Sequence, residues 1–254
     1  MVFVGTSGWQ YRHWKGRFYP DEIPQKGWLD FYCRHFATVE LNNSFYHLPS
    51  EAAFASWRNR TPDGFVVAVK ASRFLTHVKK LNDPAEPVAR FMERARELGP
   101  KLGPVLVQLP PRFHAVPERL EATLAEFPSR VRVAVEFRDD SWYCDEVRAV
   151  LEKRRAALVL ADSPHRTQPL WRTADWGFVR FHEGRASPRP CYGEAALEAW
   201  ARRLAELYGP EADVFAYFNN DPRACAIRDA GTFARLAEAA GLRPTPVTAE
   251  ARVS

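Results

Sequence analysis

The sequence has no run of about 18 apolar residues, the length that a helix needs to cross a membrane. Its first residues, MVFVGTSGW, lack a basic segment followed by an apolar stretch, so we expect no export signal, a cytoplasmic protein and no membrane partner. Cysteine is scarce, and the four residues at positions 33, 144, 191 and 225 form no C-x-x-C pair. We therefore predict free thiols rather than a disulfide framework or a cysteine zinc site.

Several catalytic signatures are also missing. There is no G-x-S-x-G nucleophile elbow and no Walker phosphate loop, and GTSGW, after the first apolar run, matches a dinucleotide-binding loop poorly. No nucleotide cofactor is therefore predicted. Neither sign of charge dominates, because 36 Lys and Arg face 31 Asp and Glu for a net charge of +5. A nucleic-acid partner is compatible with this balance but is not required by it.

The sequence does have a regular alternation of short apolar runs with amphipathic stretches. At 254 residues, 46% hydrophobic and 13% aromatic, the chain is globular rather than disordered. Eight runs have the composition of strands covered on both faces. They are Val2–Thr6, Thr38–Asn42, Phe65–Ala71, Pro104–Leu109, Val131–Phe137, Ala157–Asp162, Gly177–His182 and Val214–Asn219. Helical periodicity separates nearly all of them.

This eightfold alternation predicts an α/β protein with a single parallel (β/α)8 TIM-type barrel over residues 1–244 and a frayed tail at 245–254. Only 13 residues, with Pro164 and Pro169 among them, separate Asp162 from Trp176. The helix after the sixth strand is therefore expected to be short or missing. An open doubly wound sheet is the alternative, but it would call for a glycine-rich loop after the first strand.

Alternate residues of a barrel strand face the interior, and the others face the helices. In the second strand Val39 and Leu41 are apolar, so Glu40 and Asn42 are predicted to face inward. The same argument turns polar residues inward near the carboxyl ends of other strands, where barrel enzymes place their active sites. These residues are Lys70, Gln108, Glu136, Arg138, Arg180, His182, Tyr217 and Asn219.

Buried charges are costly unless they are paired, so this cluster calls for an explanation. One explanation is a self-satisfied network of ion pairs that fills the barrel top; the one we favour is a functional site. Glu40 and Glu136 are the candidate general acid and base, with Lys70 and His182 as further catalytic candidates. For Lys70, a salt bridge to Glu40 is favoured over a role as a Schiff-base amine.

A second set of residues is predicted to bind the ligand. The polar candidates are Asn42, Gln108, Arg138, Asp162, Arg180, Tyr217 and Asn219. The loops over the barrel mouth are rich in aromatic residues, which can stack on a sugar or a base. From these loops we select Trp9, Tyr46 and Trp142.

A single divalent metal ion is an alternative that we do not favour, with carboxylate and imidazole ligands. Its candidate ligands are Glu136, Asp162, His165 and His182. The spacing of Asp162 and His165 resembles that in endonuclease IV, a barrel nuclease. The eighth strand offers Asn219 rather than a carboxylate, and the arginines and Lys70 would compete for the same acids.

Taken together, the motifs of the chain resemble the domain of unknown function 72 family, also called YecE-like. The resemblance rests on GTSGW at 5–9, FYP at 18–20, VELNNSFY at 39–46, LVQLPP at 106–111, VEFR at 135–138, DSP at 162–164, VRFH at 179–182 and YFNND at 217–221. It covers about residues 1–240 and implies a TIM-type barrel. It implies no reaction, because the family's biochemical role is not established. The chain departs from the family at Glu183, where Gly is usual, and at 228–230.

The function predicted from the sequence is action on a small polar or anionic ligand, such as a sugar or a phosphorylated compound. Hydrolase, lyase and isomerase chemistry with acid–base carboxylates all fit this prediction. Two alternatives stay open: a nucleic-acid-binding or metal-dependent barrel of the endonuclease IV type, and a non-catalytic binding module. The sequence does not indicate the substrate or the oligomeric state.

Overall fold

The computed structural model describes residues 1–163 and 167–249. Eight parallel strands close into a barrel in chain order, and the last strand pairs with the first. The strands are β1 (Val2–Ser7), β2 (Thr38–Leu41), β3 (Val66–Lys70), β4 (Leu102–Gln108), β5 (Val133–Glu136), β6 (Ala157–Asp162), β7 (Gly177–Phe181) and β8 (Val214–Phe218). Each lies within about two residues of the run predicted for it, so the (β/α)8 barrel is confirmed.

Helices pack around the barrel. They are α1 (Trp28–Tyr32), α2 (Asn43–Tyr46), α3 (Glu51–Arg60), α4 (Ala85–Ala95), α5 (Pro117–Glu126), α6 (Asp145–Lys153), α7 (Glu194–Tyr208) and α8 (Cys225–Ala239). Local sequence explains several starts: the Ser50 side chain caps α3 by accepting from the Ala53 amide, and α5 begins at a proline. Between β6 and β7, residues 163 and 167–176 contain no helix, as predicted.

Two apolar layers decide which side chains reach the barrel mouth. The larger layer lies between the strands and the helices and includes Val39, Leu41 and Val69. The smaller one fills the barrel interior with Ala68, Leu106, Ala134, Ala157, Val159, Trp176, Phe178, Phe215 and Tyr217. Inward-facing residues beyond this plug, toward the carboxyl ends of the strands, therefore form the floor of the mouth.

The chain stays bound to the barrel beyond residue 244. Thr245 donates its amide to the Val2 carbonyl at 2.7 Å, the Thr248 amide donates to the His35 carbonyl at 3.2 Å, and Ala249 is buried. This part of the predicted tail is thus paired with β1 and packed. Residues 250–254 lie outside the described range.

The prediction of free thiols is wrong for two of the four cysteines. Cys191, in the connection from β7 to α7, is bonded to Cys225, the first residue of α8, whereas Cys33 and Cys144 are free. The two bonded residues are 34 positions apart, and only closure of the barrel brings the β7–α7 connection against the start of α8. Local sequence spacing therefore carried no signal for this bond.

Thiol titration should detect this bond directly. In denaturant without reductant we expect two reactive thiols per chain, and four after reduction. Because the bond closes a 34-residue loop in the unfolded chain, Cys191→Ser is expected to lower the free energy of unfolding by roughly 3–4 kcal/mol. Cys144→Ser is the control and should change the free energy by less than about 1 kcal/mol. Four thiols without reductant would contradict the bond.

Candidate functional site

A buried arginine joins two glutamates at the carboxyl ends of the strands. Arg180, on β7, donates from Nη2 to Glu40 Oε1 at 2.7 Å and from Nη1 to Glu136 Oε2 at 2.6 Å. None of these three side chains is more than 2% exposed. The charge-assisted hydrogen bonds offset the large cost of removing three charges from water. The structure thus brings together three residues that the strand alternation turned inward.

Glu136 is held from several sides. Its Oε1 accepts from Gln108 Nε2 at 3.0 Å and from Arg138 Nε at 3.2 Å, in addition to the bond that Oε2 accepts from Arg180. Burial opposes the charge, but Arg180, His182 and Arg138 outweigh it and hold the pKa of Glu136 well below its usual value. A carboxylate this firmly ionised is a poor general base. These contacts favour a positioning role for Glu136, and the acid–base role stays a prediction.

Glu40 differs from Glu136 because only one of its two carboxylate oxygens has a hydrogen-bond partner among the described residues. Oε1 binds Arg180, whereas Oε2 is buried and has no hydrogen-bond partner among the described residues. The buried atoms Ser7 Oγ, Asn42 Oδ1, Arg180 Nε and His182 Nε2 likewise lack one. These five residues stand at or next to the carboxyl ends of β1, β2 and β7, whereas the two other such atoms among the described residues, Thr123 Oγ1 and Asn220 Oδ1, belong to α5 and to the segment after β8. Buried polar atoms in folded proteins are nearly always hydrogen-bonded, so this concentration marks a place built to receive a polar group.

Lys70 ends β3 and points to the same region, two residues beyond Ala68 of the interior plug. Its Nζ lies 4.0 Å from the centre of the Phe45 ring and forms no ion pair or hydrogen bond with any described residue. The predicted salt bridge to Glu40 is therefore wrong. The register explains why: Glu40 pairs with Ala68, so Lys70 sits one inward layer higher than the carboxylate.

The charge of Lys70 is disfavoured where it lies. Burial and the neighbouring Arg180 and Arg138 lower the pKa of Lys70 to about 8, although Glu40 and Glu136 act in the opposite direction. His77, whose ring meets Phe45 edge-on, has its pKa lowered to about 4 by burial and by Lys70, Arg73 and Arg138. At neutral pH the mouth thus contains a neutral imidazole beside an amine that titrates close to neutrality.

His182 and Asn219 form a pair on the adjacent strands β7 and β8. The Asn219 amide nitrogen lies 3.1 Å from His182 Nδ1. Because an amide nitrogen is a donor, Nδ1 accepts, and the neutral ring carries its proton on Nε2. Nε2 lies 3.4 Å from Glu136 Oε1, a long contact, and has no other partner among the described residues, so this N–H can donate to a ligand.

Two site residues escaped the sequence argument. Ser7 ends β1, where Val2 and Val4 face the helices, so the same alternation would have turned it inward. Tyr11 donates its hydroxyl to the Ser7 carbonyl at 2.5 Å, and burial, Asp221 and Glu40 raise its pKa. Both line a cavity of about 90 Å³ with Gly8, Trp9, Gln10, Leu41, Asn42 and Asn43. Tyr11 gave no signal beyond its place in an aromatic loop.

Several predicted ligand-binding residues lie elsewhere. Ala157 and Val159 face the interior, so Asp162 has the phase of the outward-facing Leu158 and Leu160 and approaches the Tyr192 hydroxyl instead. Tyr217 belongs to the interior plug, and its hydroxyl pairs with the Thr38 hydroxyl at 2.7 Å.

The aromatic loop residues serve packing more than ligand contact. Trp142 is fully buried, stacks on Phe137 and donates its indole N–H to the Phe113 carbonyl, so it anchors its own loop. Trp9 packs edge-on against Trp57 and reaches the site only as a wall of the small cavity. The Tyr46 side chain lies outside what the structure describes.

The predicted metal ligands that the structure describes do not lie together in one site. Within residues 1–163 and 167–249, no group of three or more His, Cys, Asp or Glu side chains is arranged to hold a metal ion. Glu136 and His182 are close, but Asp162 faces Tyr192. The fourth candidate, His165, lies outside the described residues. The described donor set therefore does not fit a metal site.

A second buried network fastens the two loops that follow β7 and β8. Asp229 Oδ2 accepts from the Tyr192 amide at 2.8 Å and from Asn220 Nδ2 at 2.7 Å, and Arg228 binds Oδ1. The Cys191–Cys225 bond joins the same two regions. Asp229 is fully engaged, so we assign this network to the scaffold rather than to ligand binding.

A larger groove lies at the opposite, amino-terminal end of the barrel. It has a volume of about 640 Å³ and is lined by Arg130, Arg132, Lys153, Arg154 and Arg155 among others. Three of these cations already pair with carboxylates, and none of the lining residues has a buried polar atom without a partner. Although this groove is larger, we therefore favour the carboxyl ends of the strands as the ligand site.

Fold and site together define a TIM-type barrel protein with an ionisable cluster at the carboxyl ends of its strands. The chain belongs to the family described as protein of unknown function DUF72, whose sequence model matches residues 3–251. This confirms the family resemblance seen in the sequence. In the described part of the chain, none of the helices combines the length and apolar character needed to cross a membrane.

Three relatives illustrate the match. The UPF0759 protein YunF of Bacillus subtilis is 27% identical over an alignment of 261 residues including gaps. The alignment covers 87% of this chain and 89% of the relative. The UPF0759 protein YecE of Escherichia coli K12 is 28% identical over 146 residues, 56% of this chain and 50% of the relative. The crystal structure of a DUF72 family protein from Thermotoga maritima has a TM-score of 0.83 and 29% identity, and covers 94% of this chain and 99% of that chain.

Proposed function

We propose that the protein binds a small anionic or polar compound, such as a phosphorylated compound or a sugar, at the barrel mouth and acts on it by acid–base chemistry. The observation that carries this proposal is that buried polar atoms without a described hydrogen-bond partner lie in the same region as Lys70, which has no described counter-ion. Within the part of the chain that the structure describes, Glu40 Oε2 and Arg180 Nε are buried without hydrogen-bond partners, and Lys70 Nζ approaches an aromatic ring but no acceptor. A purely structural ion-pair plug would satisfy its own members.

The proposed division of labour follows the contacts. The Arg138 side chain is 36% exposed, and among the described residues its guanidinium is hydrogen-bonded through Nε; it would meet an anionic group. Glu40 Oε2 and the His182 N–H would accept from and donate to the ligand. Burial and the neighbouring Arg180 lower the pKa of Lys70 to about 8, close to the range where proton transfer is efficient.

Ligand-induced stabilisation tests this proposal. Inorganic phosphate, a sugar phosphate, an uncharged sugar and pyruvate should be screened against the intact chain. A ligand at about 100 times its Kd stabilises by roughly 2.7 kcal/mol, which raises Tm by about 5 °C or more for a domain of this size. We expect at least one of these compounds to act, and Lys70→Met and Glu40→Gln to abolish the shift.

Lys101→Met is the matched control. Lys101 is also a buried lysine, but its Nζ donates to the Arg58 and Thr61 carbonyls, away from the mouth. This variant should keep the ligand-induced shift even though its own Tm falls. Equal shifts in the wild type and in Lys70→Met would place any binding outside the barrel mouth, and no shift with any compound would remove the proposed ligand class.

A further inference from the structure

Lys70 differs from the other buried lysine, Lys101, and from the lysines that form ion pairs at the surface. Lys101, equally buried, donates to two backbone carbonyls, and the more exposed Lys79 and Lys153 pair with Asp83 and Glu121. Lys70 is 9% exposed, and among the described side chains its amine contacts the Phe45 ring without an ion pair or hydrogen bond. A buried lysine without an ion pair or hydrogen bond lowers stability, so its presence at the mouth calls for a chemical use.

The surroundings make this amine nucleophilic. Its charged form is opposed by burial and by the two neighbouring arginines, Arg138 and Arg180. With a pKa of about 8, roughly a tenth of the amine is neutral at pH 7, several hundred times the fraction for an ordinary lysine. Desolvation beside other cations is one of the recognised ways in which proteins activate a lysine amine.

We propose that Lys70 forms an imine with the carbonyl group of a substrate that also bears a carboxylate or a phosphate. This inference rests on the proposed function, because it uses the same site, and it narrows the ligand to a carbonyl compound. The anionic group would lie against Arg138, whose guanidinium is half-exposed at the rim. The carbonyl would then face Lys70 and the unpaired groups of Glu40 and His182.

The step balances without a further reactant. The neutral amine attacks the carbonyl carbon, a C–N bond forms, and the π electrons of the C=O bond move to oxygen. Protons pass from nitrogen to oxygen, the C–O bond breaks, and water leaves. Overall, the protonated lysine and the carbonyl compound give a protonated imine and one water molecule, with the positive charge retained.

Neighbouring groups fit the two proton transfers and the product charge. His77 also contacts the Phe45 ring, and its pKa is lowered to about 4, so it is neutral at pH 7 and adds no positive charge beside the amine; the proton that the attacking nitrogen loses passes to the carbonyl oxygen. The His182 N–H can donate to the developing oxyanion. The unpaired oxygen of Glu40 would stabilise the cationic imine better than it stabilises a neutral amine.

Borohydride trapping tests the inference. The intact protein is incubated with pyruvate or dihydroxyacetone phosphate and reduced with sodium borohydride, and adducts are mapped by peptide mass spectrometry. Hydride adds to the imine carbon, so the mass gain equals that of the carbonyl compound less one oxygen atom. We expect Lys70 to be labelled at least ten times more than any other lysine, and inorganic phosphate to compete with the labelling.

Three variants and the pH profile separate the outcomes. Lys70→Met and Lys70→Arg should lose the adduct, and Lys101→Met should keep it. Labelling should rise with pH up to about 8 and then level off, whereas binding of an anion to a protonated lysine would weaken over the same range. Binding that depends on Lys70 without any adduct would overturn the imine and leave the proposed function standing. Absence of both would overturn both, and even labelling of all lysines would overturn the imine.

Discussion

Lys70→Met is expected to stabilise the folded protein at pH 7 by about 1–3 kcal/mol while abolishing ligand binding. The buried amine has no ion pair or hydrogen bond with a described residue, and its pKa is lowered from 10.5 to about 8. Each unit of such a shift corresponds to roughly 1.4 kcal/mol between the folded and unfolded states. Methionine has a similar length and fills the space beside Phe45 without a charge.

The pH dependence follows from the direction of this shift. Between about pH 8 and 10.5 the unfolded chain holds the Lys70 proton more tightly than the folded protein does, so wild-type stability rises with pH in this window. Lys70→Met lacks this contribution, and its advantage should shrink between pH 7 and pH 9.5. The groups that set the shift are Arg180, Arg138, Glu40 and Glu136, with His77 nearby.

Urea unfolding of both proteins at the two pH values measures this effect. Lys101→Met is again the matched control and should lose roughly 1–3 kcal/mol, because two carbonyls lose their donor. A Lys70→Met variant destabilised as much as Lys101→Met would show that the Lys70 amine is structural, and the case for a reactive lysine would fail.

Arg180→Met is expected to have the largest effect on stability, a loss of about 3–5 kcal/mol at pH 7. The change leaves the carboxylates of Glu40 and Glu136 buried without the guanidinium that binds both. Arg180 then no longer outweighs the burial that opposes the charge of Glu136, so the pKa of Glu136 rises. A folded variant that holds this proton more tightly than the unfolded chain loses stability as pH rises from about 4.5 to 7.

The wild type should show the opposite trend in acid. The folded pKa of Glu136 is well below 4.5, so its contribution is present above that pH and is lost as pH falls further. Adding Glu40→Gln and Glu136→Gln to Arg180→Met should restore at least half of the lost stability, because the orphaned charges are gone. Arg132→Met, which breaks an exposed pair with Asp213, is the control and should cost less than about 1 kcal/mol. A loss of that small size for Arg180→Met would contradict the buried pairing.

Strand phase explains which parts of the site the sequence could predict. Glu40, Lys70 and Arg180 alternate with valine, leucine and phenylalanine that must pack against helices, so their inward direction follows from composition alone. In β6 both alternating sets are apolar, since Ala157 and Val159 face inward and Leu158 and Leu160 face outward. The phase of Asp162 was therefore undetermined.

Distances across strands and loop packing could not be predicted in this way. The layer offset that separates Lys70 from Glu40 depends on the register of β2 against β3, which composition does not encode. A buried anchor such as Trp142 and a ligand-stacking tryptophan look alike in a loop sequence. The Cys191–Cys225 bond depends on closure of the whole barrel, which joins residues that no local motif connects.

The Cys191–Cys225 disulfide, between the β7–α7 connection and α8, constrains one side of the barrel rim more than the other. On the stiff side, a covalent bond and the Asp229 hydrogen bonds clamp the loops that carry His182 and Asn219. On the other side, the described residues that follow Lys70 and Asn42 contain no disulfide bond and are joined by hydrogen bonds, such as that from Ser44 Oγ to the Lys70 carbonyl at 2.6 Å. Any loop movement that admits a ligand is therefore expected after β2 and β3. An entering ligand would contact Lys70 first and the Arg180 cluster only when fully bound.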